Sequence, residues 1–72
     1  MAQSNVETFY EDLMWKSRRE GSLQSLAVST DRSEALNAGR LAAVRDRVDH
    51  VIRDMDGHFL YQNSYRDLPN TY

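Results

Sequence analysis

Asp46, His50 and Asp54 recur at every fourth position of the chain. On a helix that spacing stacks two carboxylates and an imidazole along one face, a donor set that could hold a divalent cation weakly. The pairs Arg45–Asp49, Asp46–His50, Asp49–Arg53 and His50–Asp54 share the same spacing. A solvated ladder of i,i+4 charge pairs is therefore the favoured reading, and no metal or cofactor is expected. Nothing else offers catalytic chemistry. The chain has no cysteine nucleophile, no glycine-rich phosphate loop and no carboxylate pair in an apolar setting. No catalytic residue and no small-molecule substrate are expected, and the chain reads as a non-enzyme.

Trp15 raises a different question. Val6, Phe9, Tyr10, Leu13 and Met14 fall at helical spacing, and on that helix Trp15 projects roughly 180° away, among Glu11, Asp12, Arg18 and Arg19. Such a tryptophan is either covered by another part of its own chain or anchors a protein interface, with Arg18 and Arg19 at the rim. Stacking on a nucleic-acid base is a distant third reading.

Composition narrows the classes. Seventy-two residues make at most one domain, and a chain this short buries only about 60% of its unfolded surface. Without cysteine, disulfides and thiolate zinc are excluded, and His50 and His58 are too few for a metal cage. Oligomerisation or a partner protein is then the expected helper. Forty per cent apolar and 28% charged residues suit a folded soluble chain. No apolar run approaches the roughly 20 residues of a membrane span, and "MAQSNVETF" has no signal-peptide pattern. A reducing cytoplasmic setting, or a particle assembled there, is expected. The net charge of −2, with arginines interleaved among Asp46 and Asp49, disfavours nucleic acid.

The elements that must position these residues read as helices. Ser4 with Glu7 fits a capping box, and Gly21 fits a helix end, which predicts a helix over about 5–20. "SLQSLA" suggests a short helical turn at about 22–27. Asp31 with Glu34 forms another cap signal and Gly57 another stop, which predicts a long helix over about 32–56. Within it Asn37, Leu41, Val44, Val48, Val51 and Met55 follow 4-3-4-3-4 spacing, the seam of a short heptad pattern. Ala35, Ala38, Gly39 and Ala42 form a second, small-residue stripe suited to close helix packing.

Together these signals predict an all-α helical hairpin over residues 1–57. An ordered aromatic tail over 58–72 would dock on its own or a neighbouring chain, with a turn at Leu68-Pro69-Asn70. The expected partner surface comprises Trp15, Arg18 and Arg19, the seam from Asn37 to Met55, and the tail tyrosines Tyr61, Tyr65 and Tyr72. The expected function is a non-catalytic helical subunit or adaptor, packing with itself in a homo-oligomer or with a larger protein. A virion or phage-type accessory protein is one fitting context. An inhibitor binding a host enzyme through Trp15 and the tail, and a DNA-binding regulator, are the alternatives.

Overall fold

The computed structural model describes residues 4–67 and overturns the all-α expectation. Five strands form one mixed sheet and a single helix lies on it: β1 (Val6–Glu11), β2 (Met14–Arg19), β3 (Ser25–Ser29), α1 (Arg32–Asp46), β4 (Asp49–Arg53) and β5 (Phe59–Ser64). The sheet order is β3-β2-β1-β4-β5, antiparallel throughout except that β1 and β4 run parallel.

The predicted first helix is a hairpin because its period is two. In "VETFYE", Val6, Thr8 and Tyr10 point to one face and Glu7, Phe9 and Glu11 to the other, with β-branched and aromatic residues that suit strands. The chain reverses at Asp12-Leu13, where φ is +56° and +65°, the sign that a two-residue hairpin turn of type I′ requires at both centres. Register then answers the tryptophan question. Trp15 pairs with Tyr10 across β1 and β2, so the two rings share a face and meet edge to face at 5.0 Å. Trp15 is 8% exposed. It looked misplaced only on a helical wheel.

The predicted helical turn at 22–27 is half loop, through residues 22–24, and half strand β3, which follows Gly21 and that loop and extends the meander. The long helix does begin at Arg32, because the Asp31 carboxylate accepts the Ser33 N–H at 2.9 Å. It stops ten residues early. Arg47 adopts the left-handed conformation and its N–H closes on the carbonyls of Ala43 and Val44. An arginine at this cap position carries no sequence signal, unlike the glycine usually found there. Beyond it, "DHVIR" becomes β4, pairing with β1 through Val6↔His50 and Thr8↔Ile52. The heptad seam therefore does not exist as a surface. Asn37 and Leu41 are exposed on the helix and Val44 is half-buried. Val48 and Val51 are buried in the chain's own fold, and Met55 is exposed in the β4–β5 loop.

Ala35, Gly39, Ala42 and Ala43 are the buried face of α1, and Ala38 is half-buried. This small-residue face lies on the sheet, not on a second helix. α1 packs against β1, β2, β3 and β4 and leaves β5 uncovered. Val6, Ala42, Ala43 and Val48 form one core cluster, closed at one end by Tyr65, whose N–H donates to the Val48 carbonyl at 3.3 Å. Residues 59–64 are thus the fifth strand of the same sheet, not a separate tail. Tyr72 and the turn at 68–70 lie outside the described residues. No helix among the described residues is long and apolar enough to cross a membrane.

Candidate functional site

Pairing places Thr8, Ser17 and His50 side by side on the helix-facing side of three adjacent strands. The Thr8 hydroxyl lies 2.7 Å from Ser17 Oγ and 2.6 Å from His50 Nε2, and Ser17 Oγ donates to the Ala35 carbonyl at 2.6 Å. The direction of the chain follows from its end. A carbonyl only accepts, so the Ser17 proton goes to Ala35, the Thr8 proton to Ser17, and His50 must donate from Nε2–H to Thr8. That fixes a proton on Nε2 of His50, and in the neutral ring Nδ1 is the free acceptor. Burial, followed by the charge of Arg40, lowers its pKa to about 4, which agrees with a neutral ring. Gly39 makes room for the cluster: a Cβ there would sit 2.7 Å from His50 Nε2, 2.7 Å from Thr8 Oγ1 and 2.8 Å from Ser17 Oγ.

This triad resembles a hydrolase arrangement only in residue types. Ser17 is fully buried and gives its proton to a main-chain carbonyl, so no base activates it. The cluster is a polar core that ties β1, β2, β4 and α1 together. Sequence spacing gave no sign of it, because its members lie 9 and 42 positions apart.

Beside it a cavity of about 270 Å³ opens between α1 and the β4–β5 end of the sheet. Leu36, Ile52 and Tyr61 supply apolar walls, and Ser33, Asn37, Arg40, His50 and Asn63 supply polar groups. The cavity exists because the helix stops short of β5. Of the expected partner residues among those described, it gathers Asn37 and Tyr61 and leaves the others elsewhere.

The opposite face of the sheet is laced with charge pairs. Glu7, only 9% exposed, accepts from Arg18 Nε at 2.9 Å and from Arg53 Nε at 3.3 Å. Arg18 also lies 4.3 Å over the Phe9 ring, which keeps Phe9 out of water. Lys16 pairs with Glu11 and Asp12, and Arg66 with Asp49. On the helix side Arg19 pairs with Asp46, and Arg32 lies over Trp15. Arg18 and Arg19 are thus on opposite faces of β2 and do not rim Trp15 together.

The proposed carboxylate–imidazole ladder is dispersed. Asp46 ends the helix beside Arg19 and Arg45, His50 is buried in β4, and Asp54 begins the β4–β5 loop. Asp54, Asp56 and His58 do bring their ligand atoms within 4.8 Å of one another. Asp54 Oδ1, however, already accepts the N–H groups of Asp56 and His58, both at 2.9 Å. The backbone bond from His58 is the main reason its pKa is lowered. Those bonds account for the cluster as a loop lock.

Residues 5–65 match the family described as "Uncharacterized protein conserved in bacteria (DUF2188)". No curated protein and no solved structure matches the chain. A bacterial family replaces the virion or phage-type context expected from the sequence.

Proposed function

The chain belongs to this family of bacterial proteins, DUF2188, and we propose that it is a non-catalytic interaction protein that pairs with a second copy of itself through the free edge of β5. One observation carries the reading. Every residue of β5, Phe59 to Ser64, is exposed, although the strand pairs along the whole of β4 with one bulge at Leu60 and continues the sheet. Phe59, Leu60 and Tyr61 are 56%, 47% and 46% exposed.

Edge strands of monomers are usually protected by lysine, proline, a bulge or a covering element, and of these β5 has only the bulge at Leu60. "FLYQNS" has no charge and no proline, and α1 leaves it bare. The β3 edge differs, since α1 packs over it. Antiparallel pairing about a two-fold axis through Tyr61 sets Tyr61 against Tyr61 of the second copy on one face. Leu60 then lies opposite Gln62 on the other, with no like charges opposed. A chain of this size gains from such a second core.

Replacing Leu60 and Gln62 together by lysine sets lysines against each other across that axis, while touching neither the helix-side core nor the cavity. Sedimentation velocity from low to high micromolar concentration should show a dimer for the native chain and a monomer for Leu60→Lys/Gln62→Lys, with unchanged circular dichroism. A native chain that stays monomeric over that range, or a double variant that still dimerises, overturns the reading.

A further inference from the structure

We propose that the cavity between α1 and β4–β5 is a binding site for a small organic carboxylate, held by Arg40. Lys16, Arg18, Arg19, Arg45, Arg53 and Arg66 each lie on a carboxylate. Among the described residues, no carboxylate lies within ion-pair distance of Arg40. Its Nη2 donates to the Asn37 side-chain oxygen at 2.7 Å, which steadies the guanidinium and leaves its other N–H groups for an acceptor. The cavity wall contains no Asp or Glu, so an anion meets no repulsion there. Across from Arg40, Asn63 can donate from its amide and Ser33 from its hydroxyl.

The rest of the lining sets the ligand's body. Leu36, Ile52 and Tyr61 are apolar, and about 270 Å³ admits one ring or one branched side chain. A planar carboxylate matches the guanidinium fork, and the apolar walls favour an organic acid over a bare inorganic anion. Two sources share this chemistry, a free aryl or branched-chain acid and the C-terminal residue of a peptide. His50 also lines the cavity and is almost wholly buried. With Nε2–H committed to Thr8 it offers only an acceptor, so it favours a ligand that also carries a donor, such as a peptide N–H.

Self-pairing shares Tyr61 with the cavity, but Leu60 and Gln62 do not line it, so the lysine variant removes pairing and leaves the cavity wall intact. The experiment is a two-dimensional amide NMR titration of the native chain and of Leu60→Lys/Gln62→Lys. The probes are 3-phenylpropionate, its amide, and acetyl-Ala-Phe with a free or an amidated C-terminus. The acids should shift the resonances of Asn37, Arg40 and Asn63, and each amide should bind about ten-fold more weakly or not at all, the loss of one charge-assisted contact. Arg40→Gln should abolish the difference between acid and amide, and Arg40→Lys should restore part of it. A stronger response to the peptide than to the free acid assigns the source as a chain terminus, and the reverse assigns a metabolite. Equal binding of acid and amide, retention of the preference in Arg40→Gln, or no shift with any probe overturns the proposal.

Discussion

Acidification from pH 7 to 4 should weaken this fold chiefly through His50. The imidazole is 2% exposed, donates to Thr8 and has its pKa drawn from 6.5 to about 4, by lost solvation first and by the charge of Arg40 on α1 second. The unfolded chain takes up the histidine proton near 6.5, whereas the folded chain waits until about 4. Between those values the unfolded state holds the extra proton, so falling pH favours it. The stabilisation is complete above the upper value, declines through the window and is lost below the lower one. At ~1.36 kcal/mol per unit, the window amounts to at most about 3 kcal/mol. A domain of this size has roughly 4–11 kcal/mol in all. The assay is urea denaturation at pH steps from 7.5 to 4, on the native chain and on His50→Gln, which keeps an N–H donor but cannot titrate. The native chain should lose about 3 kcal/mol across the window and His50→Gln little of it. Asp31, Asp49 and Asp54 act mostly below this range, starting to lose their contribution only towards its lower end, and they do so equally in both proteins. Hydrogen bonds from Ser33, Ser64 and the His58 backbone respectively hold their carboxyls below 3.8, so their contributions disappear only at lower pH. Equal slopes for both proteins between pH 6.5 and 4 would refute the argument.

Other substitutions test other links. Gly39→Ala gains helix propensity of about 1 kcal/mol but drives a methyl into three polar atoms no more than 2.8 Å away. Overpacking and the broken hydrogen-bond chain outweigh the gain, for a net loss of about 2 kcal/mol in thermal or urea unfolding. Leu13→Gly should do the opposite. Leu13 is 80% exposed and held at φ +65°, so glycine removes left-handed strain and should raise stability by roughly 0.5–1 kcal/mol. The lysine pair on β5 and the Arg40 variants complete the set, read by sedimentation and by NMR titration.

How much of this was legible in the sequence depended on whether the signal was local. Asp31 announced the start of α1 because a cap acts within two residues, and the small face of Ala35, Gly39 and Ala42 announced a close approach. The strands were misread for a physical reason. Val6 and Tyr10 satisfy both a 3.6 and a 2.0 period over so short a run, Phe9 on the other face of the strand completes a helical stripe, and the turn that would decide is Asp12-Leu13, not the expected Asn-Gly or Asp-Gly. Arg47 hid the end of the helix in the same way. The polar core and the cavity were not legible at all: the cavity needs α1 to lie beside β4 and β5, and the core needs the pairing of β1 with β4.

That pairing also dictates how the chain must come together. β1 sits at the middle of the sheet, yet its second neighbour is synthesised only after the helix, with Val6 waiting for His50. Until then the meander of the first three strands presents an unclosed central border, and the hydroxyl of Thr8 has no imidazole to receive from. A chain cut after α1 should accordingly behave as an aggregation-prone fragment and not as a smaller stable domain, and a nascent chain commits to its native form only when the last third has left the ribosome.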